Sequence, residues 1–380
     1  MNRDLICICG PRSKHALTGV ALAFDLLVEG LENYSIPHRV VNATRGVVTH
    51  KSGAFTIRRA FDSLMVIFHV WVTLLSCKTF YATMSTSIFG FIRDYFCIYF
   101  AHLLRRRCIL HLHGGGFEDF YLSSPPVFQK LIRSNLSRTD TIIVLGNLLK
   151  EQFYCAGDNI KNKIVVVPNG LTLGVKEPES KIKNIQDHTH IELLYLSSLM
   201  PSKGFLDVID TMKIIESEYP NRFHLNLCGS FVKAKTESFT EVYNEESLNK
   251  YIKKHELKKC ITYHKQVNGE EKHQQFQSAH IFILPTNYKW EGQPLSIIEA
   301  MAYSIPVITC RHKGIPELVE ENITGIFVEP SSPPSIAAKV LEIATNKKMY
   351  QSMSEKSRKK YESGFTARCH LKKLFKTILN

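Results

Sequence analysis

The sequence has no apolar run long enough to cross a bilayer. The longest, Leu64 to Leu75, covers about twelve residues and contains His69, whereas a spanning helix needs about twenty. Its ten cysteines form no C-x-x-C pair and no zinc spacing; only Cys7 and Cys9 stand close, inside an apolar stretch. That pattern argues against a zinc ribbon, a dithiol redox centre and a disulfide framework, and is that of buried thiols in a reducing compartment. No G-x-G-x-x-G is present, so a dinucleotide site has little support. No D-x-D stands at the end of a strand-like run, so a metal-bridged diphosphate is not favoured and no metal is expected. No solenoid repeat and no nucleic-acid motif occurs. Acid is the scarcer charge, with 35 Asp and Glu against 48 Lys and Arg and a net charge of +13. A basic surface suits nucleoside diphosphates or acidic membrane.

What is present is the composition of a soluble globular protein, 44% apolar and 22% charged. At 380 residues two domains are expected, because a single core rarely serves a chain of that length. A strand is read within a few residues of Met1, at Leu5 to Cys9. That leaves no room for a leader, and the expectation is a cytoplasmic protein. The polar loop Pro11 to Gly19 and a helix with Val20, Ala23, Phe24, Leu27 and Leu31 at helical spacing follow. Strand, loop and helix in this order begin a nucleotide-type α/β domain.

The most informative stretch is Lys289 to Pro330, KWEGQPLSIIEAMAYSIPVITCRHKGIPELVEENITGIFVEP. Glu291, Gly292 and Gln293 precede a helix led by Pro294 and Leu295, and Glu299 stands in its second turn. Proline fits a first turn because its missing N–H has no intrahelical partner there. The N–H groups of Gln293, Leu295 and Ser296 would point out of the helix start toward an anion or sugar hydroxyls. Strands at Ile305 to Thr309 and after Gly325, with a Gly314 to Glu317 turn between them, give parallel-sheet alternation.

EGQPLSIIEAMAYSIPVIT, continued by GIPELV and TGIFVEP, resembles the C-terminal half of the family 4 (group 1) retaining glycosyltransferases. These have the GT-B fold and a signature of Glu, seven residues and Glu. The resemblance implies two Rossmann-like domains facing a central cleft: residues 1–173 for the acceptor, a linker at 174–190, and 191–364 for a nucleotide-sugar donor. It also implies a last helix over 365–380 that crosses back to the first domain. It puts Glu291 near the donor sugar ring and Glu299 on the ribose hydroxyls. The strand Cys108 to His113 followed by Gly114, Gly115 and Gly116 matches the family's H-x-H-G-G segment, with His113 by the sugar. His111 is assigned to the opposite face, and the glycines to close approach of backbone to ligand. In the first loop Lys14, His15, Thr18 and Gly19 are the candidates near phosphate or acceptor. In the loop Ser197 to Gly204, Lys203 stands at the family's diphosphate Lys. Ser198 stands where the family has Arg, and Arg311 or Lys313 is the candidate substitute. Val267 lies in the loop expected to border the base.

The function implied is transfer of a sugar from a nucleoside-diphosphate sugar, UDP- or GDP-linked, to a hydroxyl of a saccharide acceptor, with retention. Lipid-linked acceptors in capsule or O-antigen synthesis are the typical setting. Retention through a covalent intermediate needs a carboxylate at the anomeric carbon; front-face departure guided by the leaving phosphate is the mechanism expected here. A nucleotide-sugar-binding scaffold without catalysis, or a nucleotide-sugar epimerase or phosphorylase, is the alternative. Residues 54–107 pair aromatic and aliphatic runs with Arg58, Arg59, Arg93, Arg105, Arg106 and Arg107. They read either as ordinary core helices or as a peripheral face for anionic lipid.

Overall fold

A computed structural model describes residues 5–14, 18–44, 57–171, 182–183, 185, 190–232 and 241–380, without the side chains of Ile57 and Arg59. The chain divides into two compact units. The first comprises Met1–Leu171, Trp290–Gln293 and Ala367–Asn380; the second comprises Thr172–Lys289 and Pro294–Thr366.

In the first unit six parallel strands, β1 (Ile6–Gly10), β2 (His38–Asn42), β3 (Thr79–Thr83), β4 (Arg107–His111), β5 (Thr141–Val144) and β6 (Ile164–Val166), lie in the order β2-β1-β3-β4-β5-β6. Successive side chains point to opposite faces, and both faces are covered. Ile6, Ile8, Tyr81, Ile109 and Ile143 pack on Phe24, Leu27 and Leu31 of α1 (Gly19–Asn33). Cys7, Cys9, Phe80, Ala82, Cys108 and Leu110 pack on the other side with side chains of α2 (Ile57–Leu74), α3 (Ile88–Leu103) and α5 (Pro126–Ser137). Burial on two faces is why these strands read as unbroken apolar runs. Cysteine serves here as a small apolar residue. All ten thiols are free, and burial pushes that of Cys9 up to about 12. Two short helices, α4 (Phe117–Ser123) and α6 (Asp158–Lys161), complete the set.

The second unit has β7 (Ile191–Leu196), β8 (Phe223–Cys228), β9 (Ile261–Tyr263), β10 (Ile281–Leu284), β11 (Val307–Cys310) and β12 (Gly325–Val328). These are also parallel, in the order β12-β11-β10-β7-β8-β9. Its helices are α7 (Phe205–Glu218), α8 (Glu245–Lys254), α9 (Gly269–Ser278), α10 (Leu295–Ala302), α11 (Ile315–Leu318), α12 (Pro333–Thr345) and α13 (Lys347–Gly364). This is a doubly wound sheet whose order reverses between β7 and β10. In such sheets ligands bind outside the carboxyl ends of the strands at that reversal.

The last helix, α14 (Ala367–Leu379), belongs to the first unit. Its Leu374 and Ile378 join the α1 core, and Arg107 donates to the carbonyls of Ile378 at 2.9 Å and Thr377 at 2.8 Å. A guanidinium at a helix C-terminus satisfies carbonyls that have no intrahelical donor. Arg107 is therefore a clamp on α14 and not part of an exposed basic rim. Arg93 is likewise occupied, 2.7 Å from the buried Asp94.

Several elements differ from the sequence reading. Asn147–Leu149 and Glu151–Ala156 form two 3-10 turns and not an α-helix. There the buried Gln152 side chain donates to the carbonyls of Gly114 and Leu149 and accepts from the Phe117 N–H, so it stitches the turn to its neighbours. The edge strand β2 and the helix α4 had no clear signal. Of the charged region 232–256, α8 begins only at Glu245, behind a capping box of Asn244 and Ser247; residues 233–240 lie outside the described residues. The Gly314 to Glu317 turn is the start of α11.

Candidate active site

The reversal point of the second sheet is flanked by the two segments that carry candidate residues. Beyond β7 the loop Ser197–Gly204 is held from beneath by the buried Tyr195. Its hydroxyl lies 3.3 Å from the carbonyl oxygens of both Ser198 and Lys203 and can donate to either. The loop closes in a 3-10 turn, Pro201–Lys203, ended by Gly204 at φ +74°. A Cβ at Gly204 would stand 2.6 Å from Pro285 at the end of β10, so glycine is needed for both backbone and space. Lys203 Nζ sits 4.7 Å from the centroid of the Tyr288 ring, within cation–π range, and the Asn287 N–H donates to the Ser202 carbonyl. Ser198 is exposed. Neither proposed substitute for an Arg there stands at this loop's hydrogen bonds. Arg311 lies 4.2 Å over the Phe327 ring and 3.5 Å from Glu321, and Lys313 is exposed with φ +47°.

Beyond β10 comes α10, with Pro294 as its N-cap. Its first internal bonds run from the Ile297 and Ile298 N–H groups to the Pro294 carbonyl. The N–H groups of Leu295 and Ser296 therefore precede the helical ladder, as in any first turn. Glu299 is 8% exposed and accepts a 2.6 Å hydrogen bond from Lys272 Nζ of α9. Val267, in the loop between β9 and α9, is buried. Sequence reasoning missed Lys272, because GEEKHQQFQS reads as a solvated helix and nothing in its spacing marks a partner for Glu299. Tyr195 was missed as well, hidden in an apolar strand.

In the first unit two of the three glycines after β4, Gly115 and Gly116, pack closely against other protein groups. Gly115 donates its N–H to the Trp290 carbonyl at 3.1 Å, and a Cβ at Gly115 would stand 2.5 Å from the Glu291 carbonyl oxygen. Gly116 faces the Trp290 ring, whose Nε1 donates to Asp119 at 2.8 Å, and a Cβ on Gly292 would meet the His113 carbonyl at 2.8 Å. The backbone these glycines admit is that of Trp290–Gln293. Gln293, buried, completes the join: its side-chain oxygen accepts from the Asn169 N–H and its carbonyl from the Asn169 amide. Glu291 is 7% exposed at the centre of this segment.

The strand expected to run to His113 ends at His111, and His113 lies two residues beyond it. Their rings stack with centroids 3.9 Å apart, which corrects the assignment of His111 to the opposite face. His111 is buried and bonded to the Tyr81 hydroxyl at 2.7 Å. His370 of α14 bonds through Nδ1 to the Pro168 carbonyl. Burial holds all three imidazoles neutral. It lowers His111 well below the usual range, aided by His113, and lowers His113 to about 3, aided by His370. Both ring nitrogens of His113 are shut from solvent, and a hydrogen bond with the Asn169 side chain opposes the lowering. In the first loop Thr18 caps α1 by accepting from the Ala21 N–H at 3.2 Å, and Gly19 opens that helix. Lys14 is exposed, and His15 lies outside the described residues.

Two parallel-sheet units of this kind make the GT-B architecture. A solved structure with this fold is HepE of Anabaena in complex with UDP, with a TM-score of 0.71, 16% identity and 98% of each chain covered. Residues 176–360, just under half of the chain, match the sequence model of the family described as glycosyl transferases group 1. The chain is 25% identical over 198 residues to an uncharacterized glycosyltransferase of Haemophilus influenzae, covering 52% of this chain and 50% of that one. It is 23% identical over 250 residues to the capsular polysaccharide biosynthesis glycosyltransferase CapM of Staphylococcus aureus, covering 63% and 62%. The chain thus spans about half to three-fifths of the length of these curated relatives.

Proposed function

We propose that the protein transfers a sugar from a nucleoside-diphosphate sugar to a hydroxyl of a lipid-linked saccharide, with retention, in the assembly of an envelope polysaccharide. The observation that carries this is the reversal of strand order between β7 and β10, flanked by a loop with a lysine and by α10 with an anchored carboxylate. A diphosphate would take Lys203 and the free N–H groups at the start of α10, and the ribose hydroxyls would take Glu299. In the first unit, Glu291 and the buried His113 ring would receive hydroxyls of a saccharide. A UDP complex of HepE and the capsular polysaccharide biosynthesis named for CapM support a UDP-linked donor and a role in polysaccharide assembly.

The departing diphosphate would be stabilised by preorganised donors rather than by a metal, since no D-x-D is present. An imidazole kept neutral, as His113 is, can both donate and accept a hydrogen bond. The exposed Ser198 leaves Lys203 as the cationic side chain proposed for the diphosphate. Protein at the cytoplasmic face of a membrane would meet such an acceptor.

The test is thermal shift with UDP-, GDP- and ADP-sugars, with and without EDTA. A bound donor raises the melting temperature by mass action. One of the three should do so without metal, and Glu299→Ala should abolish most of the shift. Absence of a shift with every donor overturns the reading; a shift that requires metal overturns its metal-free part.

A further inference from the structure

The largest unexplained feature outside the candidate site is the outer face of α2 and α3. On α2 the side chains of Phe61, Leu64, Phe68 and Val72 are each about half or more exposed, at 61%, 63%, 60% and 49%. They recur at intervals of three and four, so they form one stripe along the helix. On α3 the residues Phe89, Ile92, Phe96, Tyr99 and Leu103 repeat the same spacing and are also exposed. The opposite stripes, Val66, Val70 and Leu74 on α2 and Phe91, Ile98 and Ala101 on α3, are buried in the core. The sheet side of each helix is therefore satisfied already. The two helices pack together, with the Trp71 ring stacked on Phe100 at 4.8 Å and its Nε1 donating to the Phe96 carbonyl, so the two stripes form one patch. A contiguous apolar patch of this kind marks an interaction surface.

Charge selects the partner. The only acids on α2, α3 and the adjoining α5 are Asp62 and Asp94, and Asp94 is buried against Arg93. Exposed bases stand on or beside the same helices: Arg58 at the start of α2, Arg105 after α3 and Lys130 on α5, while Arg133 of α5 donates to the Tyr121 hydroxyl at 2.6 Å. The guanidinium of Arg138 lies 5.4 Å over the Tyr99 ring. A second copy of the chain would bring these same bases against themselves. An anionic lipid surface would be complementary to both the apolar patch and the bases beside it. No helix among the described residues is long and apolar enough to cross a membrane, so contact would be in the plane of the interface.

We infer that the α2–α3 face is a bilayer-docking surface, its apolar stripes entering the acyl boundary and Arg58, Arg105 and Lys130 meeting anionic headgroups. It extends the reading of a lipid-linked acceptor by naming the surface that would meet the carrier's membrane. Binding to vesicles can nevertheless be measured without any sugar transfer. The basic part of this surface differs from the one suggested by sequence, because Arg93 and Arg107 are engaged internally and α5 supplies Lys130 instead.

The experiment is co-sedimentation of the full chain with vesicles of phosphatidylcholine alone and of phosphatidylcholine with phosphatidylglycerol, at low and high salt. Wild type should sediment with the anionic vesicles and be released partly by salt, because the headgroup attraction is screened and the apolar contact is not. Phe68→Glu and Phe96→Glu should each lower the partition coefficient at least tenfold, and Lys130→Glu severalfold. Circular dichroism and the donor-induced thermal shift should be unchanged in all three. Because both phenylalanines are exposed, folding is not expected to depend on them; should either variant unfold, Lys130→Glu and the salt series still decide. Three results would overturn the inference. One is no sedimentation of wild type with either vesicle. Another is binding that survives the substitutions. The third is a concentration-dependent dimer that the same substitutions dissociate, which would assign the face to a second copy.

Discussion

Acidification should destabilise the first unit through His113 in a way that can be measured against one substitution. The ring is lowered to about 3 by burial and by His370, while an unfolded histidine titrates near 6.5. Between pH 7 and 5 the unfolded chain takes up most of a proton at this position and the folded chain takes up almost none. Stability linked to His113 is thus complete above about pH 6.5 and is lost progressively as pH falls toward the folded value. Integrating that difference gives about 2 kcal/mol over the two pH units. His111 and His370 are lowered too, but they remain in a His113→Gln variant, so their direct contributions largely cancel in the comparison. Residual coupling through the ring stack is of the size expected for contacting residues, about 0.5 kcal/mol or more. Urea unfolding of wild type and His113→Gln at both pH values is the assay, with the His113 ring resonance followed by NMR. Wild type should lose about 2 kcal/mol more than the variant on acidification, and the ring should not titrate between pH 8 and 5. Equal pH dependence in the two proteins, or a ring midpoint near 6.5, would refute the reasoning.

Three other perturbations follow from named contacts. Lys272→Met leaves the nearly buried Glu299 carboxylate without its 2.6 Å donor; donor affinity by calorimetry should fall severalfold and Lys272→Arg should restore most of it. Lys203→Ala should cost nucleoside diphosphate about 1.5–3 kcal/mol of binding, the worth of a hydrogen bond to a charged group, and cost the nucleoside alone almost nothing; equal losses would remove Lys203 from the diphosphate. Gly115→Ala places a methyl 2.5 Å from the Glu291 carbonyl, so the Trp290–Gln293 backbone must move. Unfolding should show a loss of about 1–3 kcal/mol, the cost of overpacking, and turnover should fall with it.

The α/β class was legible because strands buried on both faces leave apolar runs; the GT-B fold was implied by the resemblance carried by Lys289 to Pro330. The first strand, read at Leu5 to Cys9, lies within a residue of β1 at each end. Legibility failed where structure depends on distant partners. The edge strand β2 has exposed Arg39 and Val40 and so lacks the apolar run of a central strand. The turns at Asn147–Ala156 are fixed by the contacts of Gln152 and not by their own periodicity. Gly115 and Gly116 were recognisable as sites of close approach, but only the fold reveals that Trp290 and Glu291, some 175 residues later, lie against them. The same holds for Arg93 and Arg107, which by composition looked like surface cations and are engaged with Asp94 and the end of α14. Tertiary contacts of this range leave no local spacing to read.

The most direct test of the central claim is release of nucleoside diphosphate from the stabilising donor sugar, with and without lipid-linked saccharide extracted from an envelope. Release should rise strongly with the lipid fraction, the label should pass from donor to lipid, and Glu291→Gln should reduce both. A donor that binds but is never cleaved, with or without lipid, would contradict transfer and leave a nucleotide-sugar-binding protein in its place.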